Sequence, residues 1–223
     1  FVVNVGFITI GESPREDITG EVRPIIGYDV SIIECGALDG LSRGEVASLA
    51  PKPGDYVLVT RLRDGTQVKL SRDLIVNRMQ QCINKVEDKV DIVALLCTGD
   101  FPELKSRKIL IEPSKLVMNI VRSISNVNRL GVIVHDSDQV DLEVNRWSKV
   151  VNEVDVVAVS AYIGSMDDFI RAAGRLRNAD LIVLDSLGYT MGMRRVVQEV
   201  TKKPVILPRT VLARVIRELI GKD

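Results

Sequence analysis

Short, wholly apolar runs alternate along this chain with stretches whose apolar residues recur every three or four positions. The first kind reads as strand and the second as helix with one buried face. A strand over 2–10 ends at Gly11, and Ser13-Pro14-Arg15-Glu16 has the form of a capping box opening a helix to about Ile25. A strand over 29–34 ends at Cys35-Gly36. The loop Gly36-Ala-Leu-Asp-Gly-Leu41 leads to a second capping box, Ser42-Arg-Gly-Glu45, and Pro51, Pro53 and Gly54 mark a turn. Residues 56–70 break the alternation, because Arg63-Asp64-Gly65 between two strand-like runs is a hairpin signal. Next come a helix over about 72–88 with Ile75, Met79, Cys82 and Val86 on one stripe, the strand Ile92–Leu96, and a short strand over Ile109–Ile111. Ser114 is placed to cap a helix carrying Val117, Ile120, Val121 and Ile124. The remaining strands fall at 130–134, 154–159, 181–184 and 204–206. The remaining helices fall at 139–151, about 166–177 (from Ser165 or Asp167), 191–201 and 208–220. Strands alternating with helices predict parallel sheet covered on both faces.

A weak repeat runs through this pattern. Val5-Gly-Phe-Ile-Thr-Ile-Gly opens one half and Leu130-Gly-Val-Ile-Val-His the other. Each half later carries a very apolar strand ending in a polar elbow, Leu96-Cys97-Thr98-Gly99 and Leu184-Asp185-Ser186-Leu-Gly188. Ligands bind at the carboxyl ends of strands in open α/β sheets. Cys97 therefore stands where a thiol can do chemistry, facing Asp185 and Ser186 across one cleft. A free cysteine is also often a small buried hydrophobe, and Asp185 in such an elbow is also a helix cap.

Composition narrows the classes. The 223 residues suit one large domain or two of about 100, and 46% hydrophobic residues allow a sizeable core. Thirty basic residues balance thirty acidic ones, leaving no excess to hold a phosphate backbone, so nucleic acid is not an expected partner. No apolar run reaches the ~18 residues of a membrane span, and Phe1-Val-Val-Asn-Val-Gly-Phe reads as a strand, not as a signal peptide with a basic flank. Three cysteines without metal-ligand spacing point to a reducing cytoplasm, no disulfide framework and no metal. With a single histidine, a Ser-His-Asp triad has only His135 to use.

The helix start Gly11-Glu12-Ser13-Pro14-Arg15 offers free N–H groups, a positive dipole end and a guanidinium fork, a candidate anion site as much as an ordinary capped helix. Arg61 or Arg63 on the hairpin would reach a substrate if the hairpin is a lid, and would be solvated if it is an exposed turn; Arg43 has the same status. Thr98 and Gly99 allow close approach to a ligand beside Cys97, and Pro102-Glu103 suit a helix start that would lower the thiol pKa. Gly188, Tyr189 and Thr190 stand at the second elbow as donors to a substrate carboxylate or as caps. His135, just after a strand, is a secondary candidate. Trp147 and Cys35 read as structural.

The stretches Phe7-Ile-Thr-Ile-Gly-Glu-Ser-Pro-Arg15-Glu-Asp, Gly36-Ala-Leu-Asp-Gly-Leu-Ser42, Val59-Thr-Arg61-Leu-Arg-Asp-Gly65, Leu95-Leu-Cys97-Thr-Gly99 and Leu184-Asp-Ser-Leu-Gly-Tyr189 resemble the AroM family, a branch of the aspartate/glutamate racemase superfamily. The resemblance implies an α/β fold of two similar Rossmann-like (flavodoxin-like) halves with parallel sheets, related by a pseudo-twofold axis, with a β-hairpin inserted in the first half. It implies that the C-terminal helix crosses back, giving a first domain of 1–112 plus 207–223 and a second of 113–206. It further implies a small carboxylate ligand, no cofactor and a homodimer. The superfamily includes cofactor-independent racemases, a maleate isomerase and an arylmalonate decarboxylase, and its racemases use one cysteine from each half. Cys97 matches the first cysteine, but Asp185-Ser186 stands at the second elbow. Either Asp185 supplies the second proton-transfer group, or the chemistry is one-sided, or the protein binds a carboxylate without turning it over.

Overall fold

The computed structural model describes residues 3–221. Phe1 and Val2, where the first predicted strand begins, and Lys222 and Asp223, at the end of the expected first domain, lie outside the described residues. The first half runs β1 (Asn4–Thr9), α1 (Glu16–Ile26), β2 (Ser31–Gly36), α2 (Arg43–Ser48), β3 (Val57–Arg61), β4 (Gln67–Ser71), α3 (Arg72–Val86), β5 (Ile92–Leu95) and β6 (Ile109–Ile111). The second runs α4 (Pro113–Ser123), β7 (Arg129–Val134), α5 (Val140–Trp147), β8 (Glu153–Ala158), α6 (Met166–Gly174), β9 (Leu181–Leu184), α7 (Met191–Thr201), β10 (Val205–Ile206) and α8 (Pro208–Ile220). Two parallel sheets form, ordered β2-β1-β5-β6 and β8-β7-β9-β10, so the same winding occurs twice; β3 and β4 form a separate antiparallel hairpin.

Register makes the repeat explicit. Ile8 of β1 pairs with Leu95 of β5, and Ile133 of β7 pairs with Leu184 of β9. The next residues extend the ladder alike, with Leu96 N–H donating to the Ile8 carbonyl and Asp185 N–H to the Ile133 carbonyl. Leu96 and Asp185 are therefore equivalent positions, and so are Cys97 and Ser186. Gly6 and Gly131, one residue after the repeat's first positions, are both closely packed. A Cβ at Gly6 would lie 3.1 Å from Val86, and one at Gly131 3.2 Å from Ala179.

Each sheet carries an apolar layer on both faces, as parallel strands buried on two sides require. In the first half α3 covers one face (Ile75, Met79, Ile83) and α1 with α8 the other (Ile18, Val22, Leu212, Ile216). In the second, α6 and α7 cover one face and α4 with α5 the other. The C-terminal helix thus packs on the first half. Its fully buried Arg209 donates to the Leu187 carbonyl at 2.9 and 2.7 Å and to Glu21 Oε2 at 2.9 Å, tying the second elbow to α1.

Four local expectations are corrected. Ser13 does not cap α1, which starts at Glu16: its hydroxyl donates to Asp39 Oδ2 at 2.5 Å, and the Arg15 N–H donates to Glu34 Oε2 at 2.7 Å. The helix end does hold a carboxylate, but it is the protein's own. Ser114 lies inside the first turn of α4, behind Pro113, and accepts from Arg146. No helix follows Cys97; the chain crosses from β5 to β6 in turns and irregular backbone, so no helix dipole lowers that thiol's pKa. Cys35 and Cys82 are joined in a disulfide between the end of β2 and α3, with Cα atoms 5.5 Å apart. That pairing differs from the expected three unpaired thiols and leaves Cys97 as the free cysteine among the described residues. A cross-link spanning 47 residues stabilises typically by about 2–4 kcal/mol. The capping box at Ser42-Glu45 forms as the sequence indicates. No described helix is long and apolar enough to cross a membrane.

Candidate functional site

The two elbows meet across the cleft. Thr98 Oγ1 donates to the Asp185 carbonyl at 3.1 Å. Cys97, Thr98, Gly99, Asp185 and Ser186 line one cavity together with Tyr56, Leu58, Val59, Val134, His135, Gln139 and Glu143. The elbows are built alike. Gly99 N–H donates to Cys97 Sγ at 3.3 Å, and Gly188 N–H donates to Ser186 Oγ at 3.0 Å. Each side chain is thus pinned by the amide two residues on, with its own hydrogen left to point elsewhere. Burial pushes the Cys97 thiol up to about 11; the Gly99 amide pulls the other way and Asp185 adds to the rise. At neutral pH Cys97 is therefore a proton donor rather than a thiolate.

Ser186 is not an activated nucleophile. His135 stacks between Tyr162 and Tyr189, with centroids 4.7 and 4.8 Å away. Burial, reinforced by the charge of Arg15, pushes the imidazole down to about 3, so it is neutral. Its Nδ1 accepts from the Ala161 N–H at 3.2 Å, which assigns the ring hydrogen to Nε2. Nε2 therefore donates to Ser186 Oγ at 2.7 Å. With donors from His135 and Gly188 on its oxygen, Ser186 keeps one function towards the cavity, that of hydrogen-bond donor. Serine-histidine hydrolase chemistry needs the opposite arrangement, with the imidazole as acceptor.

Behind the second elbow lies a buried ionic group that sequence reasoning missed. Trp147 Nε1 donates to Asp185 Oδ2 at 2.9 Å, and the Arg146 guanidinium lies 3.6 Å from the same oxygen. Arg146 also donates to both carboxyl oxygens of Glu143 at 2.9 Å and to Ser114 Oγ at 3.2 Å. Burial first, and then the adjacent Asp185 carboxylate, push the Glu143 carboxyl up to about 8 against the pull of Arg146. Trp147, read as structural, is thus also a hydrogen-bond partner of a cavity residue. The available signal was spacing: Glu143 shares a helix face with Trp147, four residues on and fully buried.

The strands of the hairpin pack against the second half, while Arg63 and Asp64 at its turn are exposed. Val57, Leu58, Val59 and Thr60 of its first strand are buried. Gln139 donates to the Val57 carbonyl, Lys69 forms ion pairs with Asp136 and Asp138 at 2.8 Å, and Ser160 hydrogen-bonds Gln67. The cavity beneath it measures about 20 Å³, room for about one water.

The other predicted binding residues fall outside this cavity. Gly11 donates to Thr9 Oγ1, and a Cβ there would meet Thr60 Oγ1 at 2.4 Å, so this glycine admits the hairpin. Ser13 serves Asp39. Arg15 is buried with Nε and one terminal nitrogen on Asp17 at 2.8 Å, the other on Thr9 and Thr60, and a contact to the Tyr162 hydroxyl at 3.1 Å. Burial opposes its charge, but Asp17 and Tyr162 outweigh that and hold it ionised. No part of its fork is left for a substrate. Arg61 lines a separate surface pocket of about 230 Å³ with Glu12, Glu16, Asp17 and Arg63. Arg43 pairs with Asp64 at the surface. A Cβ at Gly188 would lie 2.4 Å from Tyr162 Oη, so the glycine seats that ring. Tyr189 is buried, with its hydroxyl on the Val159 carbonyl, and Thr190 caps α7 by accepting from Met193 N–H. Among the described residues, no three His, Cys, Asp or Glu side chains group as a metal site requires.

The chain is similar in structure to the aspartate racemase of Picrophilus torridus, with a TM-score of 0.66 at 12% identity over 99% of this chain and 95% of that one. It is similar to unliganded arylmalonate decarboxylase, with a TM-score of 0.61 at 12% identity over 100% and 94%. It is similar also to the allantoin racemase of Klebsiella pneumoniae, with a TM-score of 0.65 at 13% identity over 98% and 88%. No curated protein matches it. The chain shares its doubled α/β winding with these structures. The AroM protein family matches residues 5–220, and the chain belongs to that family.

Proposed function

We propose that the cleft between Cys97 and Ser186 transfers a proton, from one face only, to a carbon next to the carboxylate of a small molecule. The asymmetry of two equivalent elbows carries this reading. Cys97 presents a protonated thiol and Ser186 presents a hydroxyl whose oxygen is already saturated by donors. Racemisation needs an acid or base on both faces of the carbon. Decarboxylation needs a proton delivered to one face, and a proton-transfer isomerisation needs one proton added and one removed, which a group on one face can do. In a decarboxylation the carbon–carboxylate bond breaks, carbon dioxide leaves, and the electron pair forms an enediolate. The carbon then takes the Cys97 proton while the S–H electrons stay on sulfur. Ser186 O–H would stabilise the enediolate oxygen, the kind of preorganised donor that supplies much of such catalysis. No step of this account requires a cofactor.

The structural neighbours are named for aspartate, glutamate, allantoin, arylmalonate and maleate chemistry, and these five compounds are the probes. Each is incubated in D2O and followed by NMR for deuterium at the carbon beside the carboxyl or carbonyl group. Labelling of at least one by wild type and not by Cys97→Ala is expected. A second reading, carboxylate binding without turnover, is favoured by Ser186 at the second elbow, where a serine held by His135 and Gly188 stands opposite Cys97 in place of a second thiol. A probe that raises Tm yet gains no deuterium supports that reading instead.

A further inference from the structure

Asp185 is out of place as a packing residue. Its equivalent, Leu96, sits in an apolar layer with Phe7, Ile111 and Leu212. The second half instead buries two carboxyls and one guanidinium at this position. Replacing such a group with apolar residues is often neutral or stabilising, so packing alone does not account for it. The hydrogen bonds are also incomplete. Asp185 Oδ1 is buried without a partner among the described residues. Glu143 stands within hydrogen-bond reach of Asp185, and two ionised carboxylates have no hydrogen to share. One proton on Glu143 resolves the conflict, since its O–H then donates to Asp185 Oδ1 while Arg146 balances the remaining charge. Glu143 and Asp185 both line the cavity that holds Cys97. The charged and titratable groups around Glu143 are Asp185 after β9, Arg146 on its own helix, and Tyr56 ahead of the hairpin, with Cys97 after β5 on the same cavity.

We propose that Glu143, paired with Asp185, is the proton store that refills Cys97. The proposal rests on the reading that Cys97 gives up a proton in turnover. After that transfer the thiolate takes the Glu143 proton: the O–H bond breaks, the S–H bond forms, and Glu143 is left as a carboxylate beside Arg146. Water returns a proton to Glu143 and closes the cycle. The protonated pair with Arg146 is also electrically neutral overall, so an anionic ligand can approach without net repulsion. Glu143 acts through Cys97 and is a positioning and proton-supplying residue.

The test uses the whole chain. Glu143→Gln keeps an N–H for Asp185 and a carbonyl for Arg146, so its Tm should stay near wild type. With ¹³C in the glutamate carboxyls, the signal absent from Glu143→Gln identifies Glu143. It should remain neutral at pH 7 and ionise well above the ordinary value of ~4.3. The pH profile of Cys97 alkylation by iodoacetamide should show an inflection at the Glu143 midpoint that Glu143→Gln lacks. On a probe that wild type turns over, Glu143→Gln should lose about 10²-fold in kcat with KM unchanged. A Glu143 midpoint in the ordinary carboxylate range, or identical alkylation profiles, overturns the proposal. The NMR and alkylation arms are read on resting protein. A coupled proton without turnover of any probe therefore refutes the reading of the cleft while leaving the Glu143–Asp185 pair standing.

Discussion

Cys97→Ser should lose at least about 10²-fold of any deuterium transfer that wild type performs, because proton transfer by a positioned group contributes about 10²–10⁴-fold. Serine occupies nearly the same space and can accept the same Gly99 amide, so the fold should hold. What changes is acidity. Even raised to about 11, the thiol remains a far stronger acid than an unactivated hydroxyl, and position 97 has no imidazole beside it. Ser186→Ala bears on the other face of the same step. Removing a preorganised oxyanion donor costs about 10²–10³-fold, again without loss of fold, since His135 stays stacked between two tyrosines. A Cys97→Ser protein as active as wild type would remove the thiol from the chemistry.

The largest expected effect on stability is at Arg146. Arg146→Met keeps an unbranched apolar stem but withdraws the guanidinium, which lies over the Trp147 ring and, among the described residues, is the cation beside two buried carboxyls. Breaking a buried ionic group by removing one partner typically costs about 3–5 kcal/mol, readable as a lower urea midpoint. The pH dependence follows from Glu143, whose folded pKa is raised. It binds its proton more tightly folded than unfolded, so its contribution is complete below the unfolded value of ~4.3 and is lost as pH rises through its folded midpoint. The destabilisation of Arg146→Met should therefore be larger at alkaline than at mildly acidic pH, because both carboxyls then carry charge with no cation between them. A substitution that costs nothing, or whose cost is independent of pH, would mean that Arg146 is screened by solvent.

How far these features could be read from residues alone depends on whether local pattern or distant contact decides them. The last helix begins at Pro208 as expected, and the elbows at Cys97 and Ser186 follow from apolar strands ending in polar residues, because periodicity and capping chemistry are local. The Asp-Gly signal located the hairpin, but whether it lies open or closed depends on Lys69 finding Asp136 and Asp138 in the other half. Ser13 has the sequence of a cap and is diverted by Asp39, twenty-six residues on. Arg15 looks free to bind an anion until Asp17 and Tyr162 are seen to occupy it. Glu143 and Arg146, three residues apart on one helix, carry no local pattern that marks them as a site. Only the fold shows that they face inward, onto a strand end that carries a second carboxyl. The Cys35–Cys82 link joins residues 47 apart with no spacing motif to announce it.

The central claim, that the cavity between the two elbows receives a carboxylate, is tested most directly by a crystal structure of Cys97→Ser soaked with an arylmalonate or L-aspartate. The account predicts a carboxylate held by Ser186 Oγ and backed by Thr98 and Gly99, its reacting carbon beside position 97, with residues 57–71 lifted from the second half. Ligand bound instead in the surface pocket at Arg61, with the hairpin still closed over position 97, would contradict it.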